Sequence, residues 1–598
     1  MKLALVFAVL VASVLPLHSV EIEHRLGLVR SFVPDAGVSF VHDRALERIA
    51  SGIGLPYAFV EDADSLDRYP VVVLAEGPGN ADLDPVWREA LYAYVENGGV
   101  LVSPAIVGSN LYPLFGIDSV SSRRDRTRLS FGGDDPALAY IDHPRERTIS
   151  LGNGEAAVHD EVVWSHGATV DPFATPLGRF ADDTVGFSVN YYGSGVAYYL
   201  GVSFVETVLL PQTGGDYEAQ RDFVNAFEPS ADVIMLLVKA IYEAYAELPV
   251  YVGIIPQGRR TALILTHDVD AQDSFVDSLK FARLAQEFGA TSTFFVTTKY
   301  FRDDADIDYY SVPENLEATR ELARMGFDVG SHTVTHSYEF GDAPAGSPGV
   351  TFETYRPVEN MTINGEVRVS KELLDRDLAG QETVTFRSGY LAFPRELIGV
   401  LEDAGYRYDS SFSANDVLTT FPYFALRERR VDAEVSSVVQ IPVTFDDALG
   451  FLTPDRVDEA VAAWTDVMLA HANNETISVL LVHPSDSSER DYKLRAQRAA
   501  MQYARELGAW IGNLTEYGDF WRARSRLRIV RVEREAGTVR LELDATPAEV
   551  HPWTTIVVRE PGQSVVFELV AADGAALDYS AVRRDGKVFL STLRLRAR

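Results

Sequence analysis

The 598-residue sequence contains no cysteine. That absence excludes disulfide frameworks, zinc–thiolate sites, iron–sulfur clusters and every mechanism with a cysteine nucleophile. Any metal has to be held by histidine and carboxylate, and the chain has only 12 histidines. Positive charge is also short, with 54 Lys and Arg against 87 Asp and Glu and a net charge of −33. Such a surface repels nucleic acid and anionic lipid and suits neutral or cationic partners. Beyond the N-terminus no uninterrupted apolar run reaches the roughly 18–20 residues that a membrane-spanning helix needs. Hydrophobic residues still make up 46% of the chain, which supports several cores and excludes disorder for most of it. At about 150 residues per domain the length predicts three or four domains, or fewer if one is a large barrel.

The N-terminus has one cation, Lys2, then an apolar run from Leu3 to Leu17 and a cleavage-compatible Ser19. This three-part pattern predicts a secretory signal over residues 1–19 and an exported protein, whether periplasmic, cell-surface or secreted.

Residues 20–245 read as α/β. The short apolar run Val71 to Ala75 predicts a buried strand. A helix follows, with Asp84 as N-cap, Pro85 at the first position, and Trp87, Ala90, Leu91, Tyr94 and Val95 on one face. Gly98-Gly99 stops it before a second strand at Val100–Val102, and a strand–helix–strand unit predicts a parallel sheet. Tyr191 to Gly201 reads as a hairpin. The segment Glu96-Asn97-Gly98-Gly99 and the late run Tyr192-Gly193-Ser194-Gly195-Val196-Ala197-Tyr198-Tyr199-Leu200-Gly201 resemble the flavodoxin-like class I glutamine-amidotransferase domains. Those enzymes use a cysteine, so the resemblance here implies a non-catalytic domain for packing, docking or sugar binding.

Residues 250–522 change character. Seven apolar runs predict strands: 262–266, 292–297, 327–330, 384–386, 406–408, 438–443 and 478–482. Helices separate several of them, the clearest having Val457, Ala460, Val461, Trp464 and Met468 on one face. Repeated strand–helix units with polar residues at the strand ends predict a (β/α) barrel whose site lies in the loops after the strands. Residues 526–598 alternate apolar and polar, as at Val539 to Asp544, and predict a small all-β domain.

Four strand ends carry chemistry. In Thr266-His267-Asp268-Val269-Asp270, extended backbone points Asp268 and Asp270 the same way. Two carboxylates in one space repel unless a cation or proton relieves them, which suggests one ligand and one base. His332 and His336, in Ser331-His332-Thr333-Val334-Thr335-His336, are spaced to converge on one ion, and imidazole with carboxylate suits zinc or a similar divalent metal. Arg387, in Phe386-Arg387-Ser388-Gly389-Tyr390, is placed to hold a nearby carboxylate ionised. His483 follows the apolar run Val479 to Val482.

In this order, and with Tyr408-Asp409-Ser410-Ser411 between the third and fourth, these motifs resemble the polysaccharide deacetylase family, the NodB-homology or carbohydrate esterase family four enzymes. The resemblance implies a distorted barrel of about seven strands and the removal of N-acetyl groups from a glycan. By matching position it implies Asp268 as base, Asp270, His332 and His336 as ligands of a divalent metal (zinc, or cobalt or another ion), Arg387 orienting Asp268, the Tyr390 backbone N–H holding the oxyanion, and His483 as general acid. Valine separates the two aspartates, so base and ligand remain interchangeable between Asp268 and Asp270, and this spacing resembles a variant branch that hydrolyses other amides. Asp446 and Asp447 are both candidates to tune His483. Extra Gly- and Pro-containing sequence between His336 and Ser370 is expected to wall the cleft. The rival readings are a non-sugar C–N amide hydrolase and an inactive glycan-binding protein.

Overall fold

The computed structural model describes residues 20–33, 35–75, 83–104, 106–151, 164–213, 230–271, 273–302, 310–412, 421–428, 430–447, 452–484, 491–535, 537–545, 551–559 and 565–593. The expected signal segment, 1–19, lies outside them.

The expected strand–helix–strand unit forms as Val71–Leu74, Pro85–Glu96 and Val100–Pro104. The Asp84 carboxylate accepts from the Val86 N–H at 2.8 Å, and Pro85 opens the helix. These strands belong to an eleven-stranded sheet that is parallel from Tyr57–Phe59 through Leu26–Val29 and on to Gly195–Leu200. There the direction reverses. The Val185–Tyr192 and Gly195–Leu200 hairpin turns through Gly193 at φ 61°, and the sheet continues antiparallel to Thr148–Ser150. Only part of the sheet is therefore parallel, because strands joined by tight turns pair antiparallel while those joined by helices do not.

All seven expected strands of the middle segment fall in one ten-stranded sheet, as Ala262–Val269, Thr293–Val296, Asp328–Ser331, Thr385–Phe386, Tyr408–Asp409, Val435–Gln440 and Ile477–Val482. Every neighbouring pair among them is parallel. Ala262–Val269 is buried along its whole length, as a parallel strand covered on both faces must be. The helix Val457–Asn473 packs against Ile477–Val482, with Val457, Ala460, Trp464 and Met468 buried. Among the described residues no ladder joins the sheet's two edges, Tyr423–Leu426 and Phe445–Asp446.

After residue 526 the chain forms two four-stranded sheets, and in Thr538–Ala545 the buried Val539, Leu541 and Leu543 alternate with more exposed residues. Each sheet takes one strand from elsewhere. Val20–Glu21 pairs with Leu527–Glu535, and Val250–Val252 with Thr555–Arg559.

The three regions meet at a buried ion cluster. Lys587 Nζ, from the C-terminal strand Lys587–Thr592, donates to Glu475 Oε1 at 2.7 Å and Glu243 Oε1 at 2.8 Å. Lys239 Nζ donates to Glu475 Oε2 at 2.9 Å, and Lys239 and Glu243 lie on the helix Ser230–Tyr245. Burial would raise the Glu475 carboxyl, but Lys239 and Lys587 outweigh it and hold it well below the usual carboxylate range. Removing one partner strands the others in a low-dielectric interior. Lys587→Met is expected to destabilise the chain by about 3–5 kcal/mol in urea unfolding, and a loss below about 1 kcal/mol would show the cluster to be dispensable.

Candidate active site

Asp268, Asp270, His332, Arg387 and His483 all sit at, or within two residues of, the C-terminal ends of strands in the central sheet. Asp268 and Asp270 point the same way, towards the histidines. His267 between Thr266 and Asp268 points the other way, stacked on Phe294 at 4.5 Å with Nε2 donating to Gln497 Oε1 at 2.9 Å. Burial pushes it down to about 4, so it is a neutral packing residue at physiological pH.

Arg387 is fully buried and donates from Nη1 to Asp268 Oδ1 at 2.7 Å. Its other donors reach Thr266 Oγ1 at 3.0 Å, Ser410 Oγ at 2.9 Å and the Ser410 carbonyl at 3.1 Å, and its plane lies over Phe295 at 4.4 Å. This gives the Tyr408-Asp409-Ser410-Ser411 motif a physical task. Ser410 fixes the guanidinium, while Ser411 Oγ accepts from the Ser388 N–H at 2.9 Å and donates to Asp409 Oδ1 at 2.6 Å. With Oδ1 of Asp268 pinned, Oδ2 remains directed into the site, 3.7 Å from His332 Nε2.

Asp270 lies at the centre of the histidines. Its Oδ2 is 3.2 Å from His336 Nε2, 3.6 Å from His483 Nε2 and 4.0 Å from His332 Nε2. Burial works to raise its carboxyl, but His483 and then His336 and His332 outweigh it and hold it well below the usual range. One ligand atom each from Asp270, His332 and His336 lie within 4.8 Å of one another. His332 Nδ1 donates to the Arg387 carbonyl at 2.9 Å, which fixes the tautomer and leaves the Nε2 lone pair facing both carboxylates. Burial pushes His332 down to about 4, so acceptor faces acceptor, an arrangement that a cation between them relieves. Two imidazoles and a carboxylate are a donor set that fits a divalent metal.

His483 Nε2 approaches the same Asp270 oxygen, at 3.6 Å. Its Nδ1 donates to Asp447 Oδ1 at 2.7 Å, and Lys493 Nζ donates to Asp447 Oδ2 at 3.1 Å. Of the two candidates for its partner, Asp447 makes the contact. Burial would lower the imidazole, but Asp447, Asp270 and Asp268 push it up to about 10, leaving it protonated at neutral pH.

His332 and His336 converge through a tight turn in which Thr333 and His336 adopt left-handed backbone, at φ 66° and 53°. Gly389 comes so close that an added Cβ would lie 2.8 Å from His336 Cδ2, which accounts for a glycine after Ser388. Gly389→Ala is expected to displace His336 and lower turnover by up to about a hundredfold with the fold retained, measured as kcat beside a thermal melt. Tyr390 is also left-handed, at φ 54°, and its ring lies 4.4 Å from His336 and stacks at 3.6 Å on Tyr338. Tyr338 opens the segment between His336 and Ser370 and is 52% exposed. Sequence reasoning missed Tyr338, Lys493 and Glu366, the last a fully buried carboxylate that accepts from the turn between the two histidines.

Residues 257–408 match the polysaccharide deacetylase family model. The matched stretch holds Asp268, Asp270, His332, His336, Arg387 and Tyr390, whereas Asp447 and His483 lie beyond it. No curated protein matches the chain. Among solved structures it is similar to Agd3, described as a novel carbohydrate deacetylase, at 13% identity and TM-score 0.42 over 97% of this chain and 98% of that one. It is also similar to BA3943, a CE4 family pseudoenzyme from Bacillus anthracis, at 15% identity and TM-score 0.26 over 43% of this chain and 66% of that one. A β-galactosidase from Bacillus circulans sp. alkalophilus aligns at 15% identity and TM-score 0.23 over 30% of this chain and 29% of that one. Among the described residues no helix is long and apolar enough to cross a membrane.

Proposed function

We propose that this protein is an exported, metal-dependent hydrolase that removes N-acetyl groups from an extracellular or cell-envelope polysaccharide. The observation that carries this reading is the convergence of an arginine-pinned aspartate, an Asp-His-His donor set and a protonated histidine on one point within or beside the polysaccharide deacetylase match. The seven parallel strands of the central sheet support a deacetylase-type (β/α) barrel left open between its two edges. The 20–245 region is read as an amidotransferase-like domain without a nucleophile, and 526–598 as a small all-β domain. Export rests on the N-terminal pattern alone, and N-terminal sequencing of the mature protein tests it.

A divalent ion, zinc first and cobalt as the alternative, would be held by Asp270, His332 and His336, and when bound it polarises the acetamide carbonyl and lowers the pKa of its water towards about 7. Asp268 takes a proton from the attacking water through Oδ2, the oxygen that Arg387 leaves free. The Tyr390 backbone N–H stabilises the oxyanion. His483 gives its proton to the departing amine, yielding acetate and a free amine.

The test is acetate release across N-acetylated glycans, with the chelated enzyme as control and zinc or cobalt added back. Chelator-sensitive release restored by metal is the expected result. Release only from small non-sugar acetamides would replace the glycan by another amide substrate. Glycan binding without turnover on any acetamide would make the protein a binding module.

A further inference from the structure

We propose that Glu366 is a positioning residue, which sets the direction of His336 and through it the affinity of the site for its divalent ion. The inference rests on the metal site proposed above and extends it.

The two histidines are held in different ways. His332 is fixed through its second ring nitrogen, bonded to the Arg387 carbonyl at 2.9 Å. The buried Nδ1 of His336 has no hydrogen-bond partner among the described residues. A ligating histidine is ordinarily oriented by such a bond. In its absence the ring has to be aimed by its backbone and by the packing of Gly389 and Tyr390.

That backbone is a left-handed turn at two non-glycine residues, Thr333 and His336, a conformation that persists only where the surroundings enforce it. Glu366 supplies the enforcement. Its Oε2 accepts from the Val334 N–H at 2.9 Å, the Thr335 N–H at 2.8 Å and Thr335 Oγ1 at 3.0 Å. Its Oε1 accepts from the Tyr355 hydroxyl at 2.7 Å. The carboxylate is wholly buried in the π-helical turn Gly365–Val369. Gly365 lets Tyr355 approach, since a Cβ there would lie 2.1 Å from the tyrosine ring. From the strand side, the Thr333 carbonyl accepts from the Thr298 N–H at 3.0 Å, and Thr333 Oγ1 from the His336 N–H at 3.2 Å. The turn is thus gripped at both ends, and Glu366 holds the end nearer His336. A carboxylate oxygen suits three donors better than a neutral amide oxygen, and alanine would leave the buried Val334 N–H and the half-buried Thr335 N–H without this acceptor. Part of the segment between His336 and Ser370 therefore reaches beneath the turn and holds it through Glu366.

The experiment compares zinc affinity of the full-length wild type, Glu366→Gln, Glu366→Ala and Tyr355→Phe, by competition with a chromophoric chelator. Thermal melts of the metal-free proteins and amide exchange at residues 333–336 are measured alongside. Glu366→Ala is expected to weaken zinc binding about 10–100-fold. Gln and Tyr355→Phe are expected to lie between it and wild type, and exchange at Val334 and Thr335 to quicken in the same order. If Glu366→Ala does not fold, Glu366→Gln and Tyr355→Phe decide. Zinc affinity within twofold of wild type in every folded variant, even with lowered melting points, overturns the proposal and leaves the deacetylase reading standing. A wild type that binds zinc but releases no acetate overturns the deacetylase reading and not the clamp. A wild type that takes up no zinc overturns both.

Discussion

Asp268→Asn is expected to lower kcat about 10²–10⁴-fold while the protein keeps its metal, and Asp270→Asn to lose the metal itself. The asymmetry follows from the surroundings of the two carboxylates. Asp268 is committed on one oxygen to Arg387, a buried cation at 2.7 Å, and only its Oδ2 is available to take a proton. Asparagine there preserves the bond from the guanidinium through its carbonyl, so the fold holds, but the amide nitrogen that replaces Oδ2 accepts nothing. Asp270 has no arginine partner among the described residues. Its Oδ2 is ringed by three imidazole nitrogens at 3.2, 3.6 and 4.0 Å, which is where a ligand oxygen belongs. Metal content by elemental analysis and acetate release, measured on both variants, separate the roles. If Asp268→Asn emptied the site while Asp270→Asn kept its metal and lost only turnover, base and ligand would be exchanged.

Much of this site was legible in the sequence because its information is local. The alternation of extended backbone predicts that Asp268 and Asp270 share a side while Val269 points into packing, and so they do: both carboxylates approach His332 Nε2, and Val269 is buried in a hydrophobic core. The apolar face from Val457 to Met468 predicts the helix Val457–Asn473 and its buried side. The spacing of His332 and His336 gave the right convergence although the backbone achieves it through a turn, since four residues with two left-handed positions also bring the ends together. What the sequence hid depends on pairing between distant segments. Nothing near Glu366 says that it lies under Val334, about thirty residues earlier. The choice between Asp446 and Asp447 turns on the register of a two-residue strand, Phe445–Asp446, too short to show a period. The recruitment of Val20–Glu21 and Val250–Val252 into the C-terminal sheets is likewise fixed by which edges were open and not by any feature of those short strands.

The second large effect is a pH dependence. His483 acts as an acid only while protonated, so turnover should fall as pH rises through its pKa. Burial alone would lower that pKa, but Asp447, with Asp270 and Asp268 behind it, pushes it up to about 10. A cation balancing Asp270 removes part of the pull, and Asp447 then carries most of it, so the alkaline limb of kcat in the loaded enzyme should lie below about 10 yet above the ordinary histidine value of about 6.5. Asp447→Asn keeps an acceptor for Nδ1 while deleting the charge, and should move the limb to lower pH and reduce kcat at neutral pH. His483→Gln, which has no proton to give at any pH, should cost about 10²–10⁴-fold and abolish the limb altogether. Stability follows the same sign. Because the folded pKa exceeds the unfolded one, the His483–Asp447 pair contributes its full stabilisation below about 6.5 and loses it as pH climbs towards 10. The Asp447→Asn and wild-type melting points should therefore differ most at neutral and mildly acidic pH and converge at alkaline pH. A limb that stays in place in Asp447→Asn would mean that His483 is not the acid, since no other change in that variant touches the reacting groups.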